Sequence, residues 1–333
     1  MTLSAVHAKK ILSRFPRQRI LVVGDLMLDR YIYGGVSRIS PEAPVPIIHV
    51  THEKTMPGGA SNVAWNVQSL GGRAAVAGIL GRDATGRDLK RILTRGGVSV
   101  SGAMELGGIR TIVKTRVIAE RQQVVRVDWE DDFDLAGKGA DRFCRVLSAE
   151  VKKSTGVIIE DYGKGVIQQC VVDTVLKAAR ASGIPVGLDP KDNHELGLGG
   201  ITVATPNRKE AFAIAGVKES PVQANPLKDK ALLKVAGLLM KKWQPALLLI
   251  TLGPLGILLV TKSAPPKHVP TRAREVFDVS GAGDTVIATC VLALAAGANP
   301  FEAAELANYA AGVVVGKLGT ATCSPQEILG YLS

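Results

Sequence analysis

The sequence predicts an α/β protein in which a mostly parallel sheet is covered by helices on both faces. Short apolar runs such as Arg19–Gly24 and Gly156–Glu160 alternate with longer amphipathic segments, and continuous apolar strands are typical of parallel sheets that are buried on both sides. Glycine is frequent, with 36 in 333 residues, whereas aromatic residues make up only 4%. This balance favours many tight turns between strands and helices over an all-β sandwich.

The first hundred residues already alternate between helix and strand. Val6, Ile11 and Leu12 share one face of a short amphipathic helix near the N-terminus, and glycines at 96 and 97 end a later helix. In chain order, we predict a helix over 4–15, a strand over 19–24, a helix over 58–70, a strand over 73–80 and a helix over 83–96.

Two segments, at about 31–57 and 107–129, interrupt this pattern. Prolines separate short β-rich pieces in the first segment, and β-branched residues alternate with charged residues in the second. The alternation predicts half-exposed strands that differ from the apolar core strands. We therefore expect the two segments to form a second, smaller sheet.

From about residue 135 the alternation becomes regular, with no internal repeat and no long linker, which favours a single domain over 1–333. After a first helix, the predicted elements are a strand over 156–160, a helix over 166–181, strands over 184–189 and 201–205, a helix from 207, a helix over 227–243, a strand over 246–251, and helices over 283–296 and 300–317.

The composition excludes several classes of function. The net charge of +11 arises from scattered basic residues, without a run of five and without interleaved aromatic residues. This pattern argues against nucleic-acid binding and leaves small anionic ligands as partners. No apolar stretch reaches the length of a membrane span and the N-terminus lacks the apolar core of a signal peptide, so we expect a cytoplasmic protein without membrane contact. Four separated cysteines without a C-x-x-C spacing predict reduced thiols.

The strongest local signal for chemistry is the segment 278–284, DVSGAGD, at the start of a long apolar helix. Its glycines allow backbone N–H groups to approach an anion, and the helix N-terminus favours negative charge. A phosphate would lie on these amides with Asp284 beside it, placed to accept a hydroxyl proton. The alternative is an ordinary glycine turn with an acidic residue in the first helical turn. The sequence contains no Walker P-loop, no G-x-G-x-x-G and no H-E-x-x-H motif.

Two further turns follow predicted core strands. Thr251, Gly253 and Gly256 belong to a glycine turn at the end of a strand, where the ligands of open α/β sheets gather. Asn207 and Glu210 begin a helix after another strand. Their spacing fits a capping box, and it also fits a Mg²⁺–phosphate network with water between the carboxylate and the metal.

Polar groups also cluster near the N-terminus. Asp25 ends the first strand, and its two oxygens would either hold two hydroxyls of a polyol or cap a turn. Gly58, Gly59 and Asn62 begin the next helix and offer backbone N–H groups and an amide to a small polar ligand. A plain glycine-rich helix start is the alternative.

Taken together, these motifs resemble those of the ribokinase-like (PfkB) carbohydrate kinases. The segment GGASN at 58–62 is similar to the N-terminal signature of that family, and DVSGAGDT at 278–285 is similar to its C-terminal one. The resemblance covers about residues 18–330. The segments GDLMLDRYIYG, SRISPEAPVPI, DYGKG, LDPK and GVVVGKLGT are similar to those of family members that act on D-glycero-D-manno-heptose 7-phosphate.

The resemblance implies a three-layer α/β/α fold with a small β-sheet lid formed by 31–57 and 107–129, and a homodimer that pairs through the lid. It also implies transfer of a phosphoryl group from ATP to the C1 hydroxyl of heptose 7-phosphate. The 1,7-bisphosphate would then feed nucleotide-activated heptose for the inner core of lipopolysaccharide. Because the match lies in the kinase part alone, we expect a stand-alone kinase without a nucleotidyltransferase domain.

The resemblance also assigns roles to single residues. Asp284 would be the base, and the amides of Gly281, Ala282 and Gly283 would bind the transferred phosphoryl group. The positions implied for ATP and Mg²⁺ are Asn207, Glu210, Lys191, Thr251, Gly253, Gly256 and Asn308, with Glu210 reaching Mg²⁺ through water. The positions implied for the sugar phosphate are Asp25, Gly58, Gly59, Asn62, Arg116 and Lys164. Asp278 would hold K⁺ or another monovalent cation, or make a structural hydrogen bond only.

The substrate stays open at this level. The cation for the 7-phosphate is one of Lys164, Arg116, Arg38 and Arg30, each of which is equally consistent with a solvated surface charge. Kinases of another sugar phosphate, a nucleoside or a keto-deoxy sugar acid share the generic signatures. A non-catalytic sugar-phosphate sensor would share the fold.

Overall fold

Two sheets and the helices around them account for most of the chain in a computed structural model, which describes residues 3–120, 122–192 and 194–332. In chain order, the strands are β1 (Arg19–Gly24), β2 (Leu26–Ile39), β3 (Pro46–Gly59), β4 (Arg73–Gly81), β5 (Ser99–Leu106), β6 (Ile112–Ala119), β7 (Gln122–Trp129), β8 (Gly156–Glu160), β9 (Val186–Asp189), β10 (Val203–Ala204), β11 (Leu247–Thr251), β12 (Ile257–Thr261) and β13 (Lys267–Val269). The helices are α1 (Ala5–Leu12), α2 (Ala60–Ser69), α3 (Ala84–Arg95), α4 (Gly137–Val151), α5 (Gln169–Ser182), α6 (Arg208–Ile214), α7 (Lys230–Trp243), α8 (Ala282–Ala295), α9 (Pro300–Val314) and α10 (Pro325–Leu332).

The large sheet has the strand order β13-β12-β11-β10-β9-β8-β1-β4-β5 within the described residues. All neighbours from β11 to β5 pair in parallel, whereas β12 and β13 pair antiparallel at one edge. The predicted mostly parallel sheet is confirmed, and the antiparallel edge is an addition that the strand prediction lacked.

The core lies on both faces of this sheet, as the continuous apolar strands require. In β1, Ile20 and Val22 point to one face and join a cluster with residues of α2, α8 and α9. Leu21 and Val23 point to the opposite face and join a cluster with residues of α4, α5 and α7. The three-layer α/β/α architecture is therefore confirmed.

The second sheet has the strand order β3-β2-β6-β7, and we call it the lid. The long strands β2 and β3 form an antiparallel pair, β6 runs parallel to β2, and β7 closes the sheet as an antiparallel neighbour of β6. The predicted bounds need correction, because β2 begins at Leu26 and β3 continues to Gly59, while 107–111 precede the strands. The lid begins earlier than predicted since β2 follows β1 after the single residue Asp25.

Some predicted elements have different bounds. The helix predicted from Gly58 begins at Ala60, because Gly58 and Gly59 still pair with β2. Gly59 has φ +52°, and a Cβ there would lie 2.7 Å from the carbonyl oxygen of Asp25, so only glycine fits this turn. The strand predicted over 201–205 shrinks to β10, and β5, β12, β13 and α10 were not predicted.

Within the described ranges, no helix combines the length and the apolar character needed to span a bilayer.

Candidate active site

The predicted site residues converge at the carboxyl-terminal edge of the large sheet. Strand β8 ends at Glu160, β9 ends at Asp189 and β11 ends at Thr251, while α8 begins against these ends and carries Asp284 in its first turn. Ligands of open α/β sheets bind at this edge, because loops and helix N-termini meet there.

Asp284 is held by two side chains from distant parts of the chain. Its Oδ2 accepts a hydrogen bond from Asn62 Nδ2 at 2.6 Å, and its Oδ1 accepts one from the Tyr162 hydroxyl at 3.2 Å. Burial raises the pKa of Asp284, and the hydrogen bonds from Asn62 and Tyr162 act in the opposite direction. The carboxylate is therefore fixed in orientation and is a stronger base than an exposed aspartate.

Two further carboxyl groups, Glu160 and Asp189, lie beside Asp284. One ligand atom of each of the three groups lies within 4.8 Å of the others. Burial, together with the charge of Asp189, raises the pKa of Glu160 well above its usual range, and burial likewise raises the pKa of Asp189. Glu160 Oε2 is buried without a hydrogen-bond partner. Sequence reasoning missed this pair, although both residues end core strands at the predicted edge.

The role predicted for Asp25 is corrected by its hydrogen bonds. The residue is 0% exposed, its Oδ2 accepts from the backbone N–H groups of Tyr162 and Lys164, and its Oδ1 accepts from that of Val166. Burial raises the pKa of Asp25 to about 6 despite these bonds. Asp25 therefore fixes the 162–166 loop, and its carboxyl group is closed off from solvent.

The second aspartate of this segment, Asp29, belongs to the lid. It lies on β2 above Gly58, where an added Cβ would come within 2.8 Å of Asp29 Oδ2, and its Oδ1 accepts a hydrogen bond from Arg116 Nη1 at 2.6 Å. Arg116 also lies over the ring of Tyr31, 5.4 Å from its centroid. The negative charge of Asp29 contributes to raising the pKa of Asp284, so Asp29 lies within electrostatic range of that carboxylate. The signal available in the sequence was the second aspartate of GDLMLD.

The other cations predicted for a sugar phosphate are distributed differently. Lys164 Nζ lies 2.6 Å from Glu130 Oε1, in an ion pair at the rim of the lid. Arg30 neighbours Asp29 in β2, and successive strand residues point to opposite faces, so Arg30 lies on the outer face of the lid. Arg38 is exposed near the far end of β2. These positions exclude Arg30 and Arg38 from the site around Asp284.

A cleft of about 550 Å³ opens beside the first turn of α8. It brings together most positions predicted for the nucleotide, namely Asn207, Thr251, Gly253, Gly256 and Asn308, and it includes Ala282 and Gly283. Its apolar lining comes from Val276, Val279, Val286, Ala311 and Val315. Asn308 Nδ2 donates to the carbonyl oxygen of Pro270 at 2.6 Å and thereby anchors one wall.

Asn207 and Glu210 form the capping box that their spacing fits. Asn207 Oδ1 accepts from the Glu210 backbone N–H at 3.0 Å, and Glu210 Oε2 accepts from the Asn207 backbone N–H at 2.9 Å. Burial raises the pKa of Glu210, and the nearby positive charge of Lys191 opposes that shift. The capping box is confirmed, whereas the Mg²⁺–phosphate network stays a prediction, for which one oxygen of Glu210 remains outside the capping bonds.

Some of the backbone N–H groups and the Asp278 carboxylate around the first turn of α8 already make hydrogen bonds within the chain. Gly281 has φ +78° at the N-cap, and the Ala282 N–H donates to the carbonyl oxygen of Val279 at 3.2 Å, so Ala282 is not a free donor in this structure. Asp278 Oδ1 accepts from the Ser280 N–H and Oδ2 from the Gly319 N–H. Asp278 therefore has at least the structural role that was considered for it.

Residues 17–327 match the family model described as "pfkB family carbohydrate kinase". The chain belongs to the pfkB family of carbohydrate kinases. This membership confirms the predicted family and the predicted enzyme class. Among curated pfkB relatives, the "Bifunctional protein HldE" of Pelobacter propionicus is 41% identical over 325 residues, which is 98% of this chain and 65% of that protein. The chain spans 62% to 66% of the length of such relatives.

Solved structures of pfkB-like fold support the same architecture. The ribokinase of Arabidopsis thaliana, complexed with ribose and ATP, has a TM-score of 0.74 at 20% identity and covers 95% of this chain and 99% of its own. The phosphofructokinase-2 of Escherichia coli in complex with potassium has a TM-score of 0.72 at 21% identity, with coverage of 95% and 99%. At these identities the likeness establishes the fold.

Proposed function

We propose that this pfkB kinase transfers the terminal phosphoryl group of ATP to the C1 hydroxyl of D-glycero-D-manno-heptose 7-phosphate, on the route to nucleotide-activated heptose for lipopolysaccharide. One observation carries the proposal. Asp284 is oriented by Asn62 and Tyr162 at one end of a cleft of nucleotide size, and Asp29 of the lid, paired with Arg116, lies within electrostatic range of it. This arrangement supports a base that lies between a nucleotide site and a sugar site.

The residues of the site divide the work of phosphoryl transfer. Asp284 accepts the proton of the sugar hydroxyl as the new bond to phosphorus forms, and the Asn62 and Tyr162 hydrogen bonds hold its oxygens in place. The N-terminus of α8, with the amides of Gly281 and Gly283, receives negative charge on the transferred group. Such positioning and charge stabilisation supply most of the catalysis in this class of reaction.

The carboxyl groups at the sheet edge fit a divalent cation. Glu160 Oε2 is buried without a partner beside Asp189, and carboxylate oxygens are ligands that Mg²⁺ prefers. We assign Glu160, Asp189 and, through water, Glu210 to Mg²⁺, which when bound neutralises charge on the phosphates of ATP. Lys191, which lowers the pKa of Glu210, lies beside this group.

A monovalent cation at Asp278 is also part of the proposal. Each carboxylate oxygen of Asp278 accepts one backbone N–H and keeps a lone pair for an ion. A phosphofructokinase-2 of similar fold forms a complex with potassium, which supports K⁺ as the ion to test.

Recognition of the sugar phosphate falls to the lid. Asp29 offers a carboxylate to sugar hydroxyls, and Arg116 is the predicted cation that shares its face. Arg116 is paired with Asp29, and Lys164 is paired with Glu130. The 7-phosphate would therefore bind by displacing one of these carboxylates from its cation. The heptose assignment itself rests on the sequence motifs named above.

We propose that two copies of the chain pair through the lid, because apolar side chains on the outer face of the lid are exposed. Val125, Val127 and Trp129 of β7 are between 41% and 51% exposed and, with their neighbours, point away from Asp29. A second copy would cover this apolar strip and the unpaired edge of β7.

The decisive experiment compares heptose 7-phosphate with unphosphorylated heptose, fructose 6-phosphate and ribose in an ADP-release assay. We expect kcat/KM for unphosphorylated heptose to be at least about 100-fold lower, the scale of a lost charge-assisted contact set. Arg116→Met should penalise the phosphorylated sugar far more than the unphosphorylated one, with Lys164→Met as the second variant. Arg91→Met, which removes an exposed arginine paired with Asp88 on a surface helix, is the matched control. Equal efficiency of the two heptoses would overturn the substrate and favour another sugar kinase.

A further inference from the structure

Two cysteines lie against each other on the surface, away from the cleft. Cys144 is in the middle of α4 and Cys170 is the second residue of α5, and the Cys144 thiol donates to the Cys170 carbonyl oxygen at 3.6 Å. The Cys144 thiol is also close enough to contribute to raising the pKa of the Cys170 thiol. Two residues separated by 26 positions in sequence are therefore neighbours at the surface, with the Cys144 sulfur against the backbone of Cys170.

The other two cysteines provide an internal contrast. Cys290 and Cys323 are buried, and burial raises the pKa of each thiol to about 12, which makes them inert towards thiol reagents. Cys170 is exposed and Cys144 is half-buried. A reagent can therefore reach Cys170 directly, with a second thiol already beside it.

We propose that Cys144 and Cys170 form a dithiol site that a low-molecular-weight disulfide, such as oxidised glutathione, converts reversibly into an intramolecular disulfide. The Cys170 thiolate attacks one sulfur of the reagent and releases one small thiol. The Cys144 thiolate then attacks the Cys170 sulfur and releases the second small thiol. The protein loses two protons and two electrons, and the reagent gains both as it is reduced to two small thiols.

The bond would cross-link α4 to the first turn of α5. The enclosed segment contains β8, Glu160 and the 162–166 loop that holds Asp25. Closing a loop of this length restricts the unfolded chain, so the oxidised protein should unfold at a temperature several degrees above that of the reduced protein. Because burial and the neighbouring thiol raise the pKa of Cys170, mildly alkaline conditions will speed the first step.

The test uses the full chain, treated with oxidised glutathione and digested with trypsin without reduction. Cleavage at the basic residues places Cys144 in the peptide 143–145 and Cys170 in the peptide 165–177. We expect mass spectrometry to show these two peptides joined, and dithiothreitol to separate them and to reverse the rise in melting temperature. Cys144→Ser should instead retain glutathione on Cys170, because the resolving thiol is absent, and Cys170→Ser should take up none.

Several results would overturn the proposal. Stable glutathione on Cys170 in the wild-type chain would show that Cys144 cannot reach the mixed disulfide. Dimers linked through Cys170 on a non-reducing gel would assign that thiol to an intermolecular bond. The folding control compares the melting temperatures of the reduced variants with that of the reduced wild type. Equal values establish that both variants fold, so a missing cross-link could not be attributed to unfolding. Neither result bears on the proposed kinase activity, because the cross-link and the melting temperature are measured without substrate.

Discussion

Replacing Asp284 by Asn tests the proposed base most directly. The substitution preserves the shape of the side chain and removes its ability to accept a proton. Loss of a general base typically lowers the rate by about 10²–10⁴-fold, so we expect kcat to fall within that range. Nucleotide binding should persist, because the cleft is lined by Ala282 and Gly283 and not by the Asp284 carboxylate.

The same substitution should not destabilise the fold. The Asp284 carboxylate lies within 4.8 Å of Glu160 and Asp189, whose raised pKa values keep the group from carrying three full charges. One charge pair at that distance costs roughly 3 kcal/mol when both groups are ionised, at an effective dielectric constant of about 20. Asn removes this repulsion. It also weakens the hydrogen bonds from Asn62 and Tyr162, at a cost of about 1 kcal/mol each. The two effects nearly cancel, with a small net gain in the free energy of unfolding.

Two measurements on one preparation decide the matter: kcat from an ADP-release assay and the melting temperature from calorimetry. Asp88→Asn is the control, because Asp88 is an exposed carboxylate that pairs with Arg91 across one helical turn. A variant that keeps more than about a tenth of wild-type kcat would show that Asp284 is not the base. A fall in melting temperature of several degrees would refute the account of carboxylate repulsion.

Three further predictions follow from the site. Tyr162→Phe removes a hydrogen bond that lowers the pKa of Asp284, so the acidic limb of the pH–kcat profile should move to higher pH; an unmoved limb would contradict the contact. Asn207→Ala should lower the free energy of unfolding by about 1 kcal/mol through loss of the cap, whereas Glu210→Ala should raise the Mg²⁺ concentration for half-maximal activity more than the sugar KM; Mg²⁺ titration and melting on both variants separate the roles. Asp25 binds its proton more tightly in the folded state, with a pKa of about 6, so its contribution to the free energy of unfolding should fall by about 2 kcal/mol between pH 4 and pH 6; urea unfolding across that range should show a flatter slope for Asp25→Asn.

Prediction from the sequence succeeded for features whose determining residues lie close together in the chain. Strands β1 and β8 have the predicted bounds, because a continuous apolar run bounded by polar residues specifies a buried strand. The capping box of Asn207 and Glu210 is likewise a local arrangement over four residues. The glycine turn before Asp284 follows the same rule, since the positive φ of Gly281 is a property of a single residue.

Prediction failed for features that depend on contacts between segments far apart in the chain. The sequence analysis named Asp25 as a sugar ligand, yet the N–H groups of the 162–166 loop occupy its carboxylate. Asp29 was not named, and its partner Arg116 lies 87 positions along the chain. The antiparallel pairing of β12 also depends on neighbours, because an apolar strand carries no sign of its direction.

The sequence by itself determined the α/β class, the covered core strands, the separate lid and the glycine turn that begins α8, because hydrophobic period and backbone preference act over a few residues. Only the tertiary structure decided which carboxyl groups meet. Glu160, Asp189 and Asp284 end up within 4.8 Å of one another since β8 and β9 are parallel neighbours and α8 begins at their common edge. Strand order and register set these distances, and they depend on the packing of the whole sheet.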